Sequence, residues 1–226
     1  WAVVLNARLS AAEIAAIREH CEARVALYTV SVSPDAATHA RGDGADFREV
    51  PLLGRLAVGP PRPADPEPVA ASGSEQVAAL VYTTGTTGQP KGVMLTHRNL
   101  LFVAAVSGAA RGLNPEDQVY GVLPLAHSFG LASTFLGTLY HGGCTHLVPR
   151  FRLEHLVMGL ADDGISVFQG VPPMYAQLVD FGRRSEEGVM APRLRYISSG
   201  GAPLSPTLKA DVEDLLALPL HNGYGL

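Results

Sequence analysis

Lysine is almost missing from this sequence: there are two, Lys91 and Lys209, against 15 arginines. Cysteine is equally scarce. Cys21 and Cys144 lie far apart and fit neither a metal-ligand spacing nor a disulfide framework, so the expectation is buried free thiols in a reducing compartment. Long apolar runs are absent too; "LLFVAAVSGAA" (100–110) is the longest and is too short to span a bilayer. A net charge of −4 and a pI near 6.1, with the charges scattered, supply no basic field for a nucleic-acid backbone. With 47% hydrophobic and 17% charged residues, what remains is the composition of a globular protein with a sizeable core, and the reading places it in the cytoplasm. Neither an initiator methionine nor a leader precedes Trp1, and "HNGYGL" closes the chain in mid-motif, so the chain reads as an internal piece of a larger protein.

Against that background one stretch stands out. "TTGTTGQPKG" (83–92) gathers four threonines, three glycines and one of the two lysines. Glycine lets backbone approach a ligand, threonine hydroxyls donate hydrogen bonds, and lysine adds a point charge, which is the chemistry of a polyphosphate cradle. It is not a Walker loop: position 90 is proline where the spacing from Gly85 would need glycine, and Gly92 follows Lys91.

The surrounding pattern predicts an α/β fold with a mostly parallel sheet covered by helices on both faces. Ser10 and Glu13 form a capping box ahead of a helix, and "RVALYTV" (24–30) reads as a buried strand. Residues 1–59 are expected to form a partial lobe, the proline-rich 60–76 a linker, and 77–226 a second lobe in which strand and helix alternate. Strands are predicted at 77–82, 118–124, 145–149, 165–170, 194–198 and 219–222, with helices at 98–111, 130–141, 153–162, 173–181 and 206–216. Ligands of open parallel sheets bind beyond the carboxyl ends of the strands. "TTGTTGQPKG", "PLAHSFG", "GVPPMY", "SSGGAP" and "NGYG" each follow a predicted strand, so all five are expected on one edge of the sheet.

At these motifs the chain resembles the adenylate-forming superfamily of acyl- and aryl-CoA synthetases, luciferase and peptide-synthetase adenylation domains. "YTTGTTGQPKGVMLTH" is similar to its signature. "LPLAHSFGL", "RYISSGGAPLS" and "NGYGL" resemble its later motifs in order, and "VVLNARLSAAEI" its upstream region. The resemblance implies the N-terminal domain of that fold and a ligase that joins a carboxylate to the α-phosphate of ATP, then passes the acyl group to coenzyme A. It implies that Thr83, Thr84, Gly85, Thr86, Thr87 and Gly88 wrap the outer phosphates with Lys91 as their cation, and that the catalytic His127 stands beside the reacting carboxylate. It implies that Gly200, Gly201, Ala202 and Pro203 run along the adenine, which Asn222, Gly223, Tyr224 and Gly225 also meet. Phe129, Ser133, Val171 and Met174, with Pro172, Pro173 and Tyr175, fall where the acyl pocket is built, and Arg150 where some relatives meet coenzyme A's phosphates.

The resemblance also implies a magnesium-binding glutamate, a ribose-binding aspartate and a C-terminal domain with a catalytic lysine. All lie beyond Leu226, so the chain itself offers no metal ligand and is expected to be inactive alone. "AHSFG" lacks the aspartate that amino-acid-activating domains present to a substrate ammonium, which favours a fatty or aromatic acid. A non-catalytic nucleotide-binding module is the competing class.

Overall fold

A computed structural model of the chain describes residues 1–84 and 90–224. It separates into two compact units, Trp1–Arg98 and Asn99–Leu226.

In the first unit Ser10 starts α1 (Ala11–His20) through the reciprocal capping box read from sequence. Glu13 N–H donates to Ser10 Oγ at 3.2 Å, and Ser10 N–H to Glu13 Oε2 at 2.8 Å. A second helix, α2 (Pro34–Gly42), has Ser33 as N-cap and Pro34 in its first turn. It packs with a small antiparallel sheet of β2 (Leu27–Tyr28), β3 (Asp46–Val50) and β4 (Gly54–Val58), ordered β2-β4-β3. The buried strand expected at 24–30 shrinks to the two residues of β2, with Leu27 68% exposed, because only one strand pairs with it. A separate sheet joins β1 (Ala2–Val3), parallel, to β5 (Val77–Thr84), which turns back antiparallel into β6 (Pro90–Thr96). The strand preceding the threonine-glycine loop thus lies outside the parallel sheet in which it was expected. Because β5 pairs with β1, the units part after Arg98 rather than at the proline-rich 60–76.

The second unit is the parallel α/β layer. From α3 (His97–Ala110) the chain passes through β7 (Gln118–Gly121), a π-helical segment (Phe129–Leu136) continued by α4 (Gly137–Tyr140), and β8 (Cys144–Leu147). After α5 (Leu153–Ala161) come β9 (Val167–Gly170), α6 (Pro172–Arg184), β10 (Tyr196–Ser199), α7 (Pro206–Leu216) and β11 (Leu220–Asn222). The five strands are parallel in the order β11-β10-β9-β7-β8. The order reverses between β7 and β9, where doubly wound sheets open a crevice at their carboxyl ends.

Register explains the core. Tyr120, Phe168, Ile197 and Leu220 lie in one row across four strands, on the face that meets Leu156 and Leu160 of α5, Leu178 of α6 and Val212 of α7. One residue back the side chains alternate to the other face, where Val119, Val167 and Tyr196 pack with Leu113. At the opposite, amino edge Asp117, 2% exposed, accepts from Arg195 Nε at 2.8 Å, from Ser166 Oγ at 2.7 Å and from Asn114 N–H at 3.0 Å. Burial alone would raise the Asp117 carboxyl, but those three donors outweigh it and hold the group below the ordinary aspartate range.

Both cysteines are free thiols, Cys21 half-buried and Cys144 exposed, so the expectation of two buried thiols holds for neither. Among the described residues no helix is long and apolar enough to cross a membrane.

Candidate functional site

Four of the five motif turns leave the carboxyl ends of β7, β9, β10 and β11, and backbone hydrogen bonds carry the strand pairing into them. Gly200 N–H donates to Gly170 O at 3.2 Å, and Gly223 N–H to Ser199 O at 2.8 Å. Gly200 stands where a side chain has no room, and Gly201 where the backbone conformation favours glycine. A Cβ on Gly200 would lie 2.9 Å from the Phe129 ring and 3.3 Å from Gly223 O; Gly201 has a φ of +74° and faces Val171 Cγ1. Gly130 is stricter still, since a Cβ there would come within 2.2 Å of Pro124 O. Phe129, Val171, Gly200, Gly201 and Gly223 therefore meet at one corner of the sheet's carboxyl edge. Beside it Ala202, Pro203 and Asn222 are exposed, and Tyr224 presents a ring that is 90% exposed. Gly225 lies outside the described residues.

His127 is exposed two residues before the Phe129 ring, and the Phe129 N–H donates to His127 Nδ1 at 3.2 Å. With Nδ1 accepting, the proton of the neutral imidazole sits on Nε2, which leaves that nitrogen as a donor toward solvent or a ligand.

Other pocket candidates are held elsewhere. Ser133 Oγ accepts from Arg111 Nη1 at 2.8 Å. Met174 packs against the helix-covered core. Tyr175 is fully buried, its hydroxyl 2.9 Å from Ser198 O and 3.1 Å from Phe168 O, so it ties α6 to β9 and β10 instead of lining a pocket; burial pushes that phenol well above its usual range. Arg150 is exposed after β8.

In the first unit, Gly85, Thr86, Thr87 and Gly88 fall outside the described residues. The strands entering and leaving the loop are described: Thr83 stands directly opposite Lys91 and Thr84 opposite Pro90. Thr83 and Lys91 are both exposed, so a hydroxyl and an ammonium flank the loop on facing strands. Behind them Gly92 leaves space for the Tyr82 ring, which a Cβ would approach to 3.1 Å, and Tyr82 OH pairs with His20 Nδ1 at 2.8 Å.

The model of the family of AMP-binding enzymes matches residues 1–226. The chain belongs to that family. An acyl-CoA synthetase of Alternaria alternata is 32% identical over 153 residues, a match that spans 68% of this chain and 26% of the relative. A 4-coumarate–CoA ligase of Oryza sativa subsp. japonica is 33% identical over 159 residues, 67% of this chain and 28% of that protein. A malonyl-CoA ligase solved with methylmalonyl-CoA and AMP superposes with a TM-score of 0.64 at 30% identity, over 74% of this chain and 36% of the other. The match thus spans about a quarter of the curated relatives' length. Family membership and the parallel α/β architecture agree with the resemblance read from sequence.

Two groups escaped that reading. Arg111 is 7% exposed and reaches Ser133, yet "AARG" carries no signal that its arginine is buried. Asp117 in "NPEDQ" gives only the mild cue of an acidic residue at a strand start.

Proposed function

We propose that this chain carries the nucleotide and acyl loops of an AMP-forming acid–thiol ligase whose remaining parts lie in a longer protein. The observation that carries the reading is the corner where Phe129, Val171, Gly200, Gly201 and Gly223 meet at the carboxyl edge of the sheet. Gly201 and Gly223 leave exposed backbone along which a flat base can lie, the place of a Gly200 side chain being taken by Phe129, and Tyr224 would supply the stacking face. In the proposed reaction a carboxylate oxygen bonds to the α-phosphorus of ATP as pyrophosphate leaves, and the thiol of coenzyme A then displaces AMP from the acyl group. An anion must approach a polyanion in the first step, so donors and cations are required. His127 Nε2–H serves the carboxylate oxygen, whereas Lys91 and Thr83, with Thr84 and the loop 85–88, serve the outer phosphates. Arg150 takes the phosphates of coenzyme A.

Magnesium would neutralise further phosphate charge, but among the described residues no three acidic, histidine or cysteine side chains gather to hold a metal. For the acid, apolar Phe129 and Val171 favour a fatty or aromatic chain, consistent with the acyl- and 4-coumarate–CoA ligases among the relatives. Malonate, the acid of the solved neighbour's name, would need a counter-ion for its second carboxylate, and the guanidinium of Arg111 is already engaged by Ser133.

Pyrophosphate exchange by the intact protein across fatty, aromatic and dicarboxylic acids tests the reading. Stimulation by a monocarboxylic acid supports it; absence of stimulation by any acid overturns it. In the same assay Lys91→Ala should lower exchange on the order of 100-fold. Thermal unfolding should stay unchanged because Lys91 is exposed; unaltered exchange removes its phosphate role.

A further inference from the structure

The π-helical segment Phe129–Leu136 begins at the glycine corner, and its wide register needs an explanation. In an α-helix the Gly137 N–H would donate to Ser133 O. Here it is shared between Ala132 O and Thr134 O instead, and Ser133 O accepts from Arg111 Nη2. The same guanidinium reaches Ser133 Oγ at 2.8 Å and Ser107 Oγ at 3.4 Å, and Nε is left buried without a partner. Gly137 is part of the fit: a Cβ there would lie 2.9 Å from Arg111 Nη2.

No carboxylate forms an ion pair with Arg111 among the described residues, and burial lowers its guanidinium to about 10, so it remains charged near neutrality. An uncompensated buried cation is costly, and an apolar side chain of similar volume is often the more stabilising choice. Its use here points to a task that a hydrophobic residue cannot perform. We propose that Arg111 is a positioning residue: by occupying Ser133 O it holds Phe129–Leu136 in the π register and so sets where His127 and Phe129 stand at the corner. Return to α geometry would move the residues before the segment by one helical position, roughly 100° about the axis. The Phe129 ring would then leave Gly200, and His127 Nε2 would leave the proposed carboxylate site.

The inference rests on the ligase reading for its catalytic part but not for its structural part, and the test separates the two. In the intact protein Arg111→Met should lower kcat/KM for the acid about 10- to 100-fold, with the KM for ATP held within about twofold, since misplacement by an ångström costs about that much. Gly137→Ala, which displaces the guanidinium without altering it, should give the same split more weakly. Crystal structures of both variants should show the backbone N–H of residue 137 on Ser133 O and His127 moved. Wild-type acid and ATP kinetics with a wild-type register in Arg111→Met would overturn the proposal; so would an equal loss toward acid and ATP. Should Arg111→Met not fold, Gly137→Ala decides. If wild-type exchange shows no acid dependence, the ligase reading fails, and the register seen in the variant structures alone decides the role of Arg111.

Discussion

The two units are built from different materials. The second has a core of large side chains, with Phe168, Leu156, Leu160, Ile197 and Tyr175 all fully buried. The first buries Ile17, Leu80 and Val81 as well, but where α2 meets β2 and β4 its cluster joins Tyr28 to three alanines, Ala36, Ala40 and Ala57, beside a polar knot. In that knot Arg18 pairs with Asp43 at 2.7 Å, and Tyr28 OH donates to Asp43 Oδ2 at 2.8 Å. Burial, reinforced by the Asp43 bond, pushes the Tyr28 phenol up to about 12. Small apolar contacts supply little transfer free energy, so the Tyr28 cluster of the first unit depends on geometry at a few charged atoms, the core of the second unit on volume.

The sharpest way to break this contrast is to remove volume from the second unit. Phe168→Ala takes away a fully buried ring that meets Tyr120 edge-on and lies 5.0 Å from Tyr175. It should cost about 4 kcal/mol in denaturant titration, with hydrogen exchange accelerating in β7, β9 and β10 while the first unit keeps its protection. Arg18→Met is the reciprocal test. It strands Asp43 with the Tyr28 hydroxyl and a distant Arg62 at 3.9 Å, and should cost about 3 kcal/mol, read as faster exchange confined to α1, α2 and β4. A loss below about 1 kcal/mol would show that the knot contributes little and that the small core suffices.

The smallest effect is acid softening of the second unit. Asp117 is held below its ordinary range, so its contribution is present above about pH 4 and is lost as pH falls through the lower folded value. Amides at the amino ends of β7, β9 and β10 should lose protection in that window, and Asp117→Asn should remove the acid dependence.

Sequence legibility follows the same division. In the second unit caps and strand ends were written locally: Ser205 before Pro206 starts α7 as read, and each parallel strand ends within three residues of its predicted limits. The first unit was harder because its decisive pairings are remote. Val77–Tyr82 is apolar enough for a parallel sheet, and nothing local announces β1 as its neighbour or β6 as its return strand. The helix α2 had its signal in "SPD", but its nine residues are mostly alanine, threonine and charge, too weak a stripe to mark a face. At the candidate site the motifs named the corner residues, since glycine, proline and aromatic turns are local chemistry. They could not say that Ser133 and Tyr175 look away from it, because that depends on Arg111 and on two strand carbonyls far along the chain.

Asp117 and its partners all sit where strands begin, and Arg195 extends the tie to the carbonyls of Arg111 and Gly112. Every candidate turn of the second unit sits where strands finish. Grafting the turns after β9, β10 and β11 from a relative would therefore sever none of the bonds made by Asp117. On the proposed ligase reading, stability and the choice of acid become separately adjustable, with the turn after β7 as the exception, since its helix is the one that Arg111 holds.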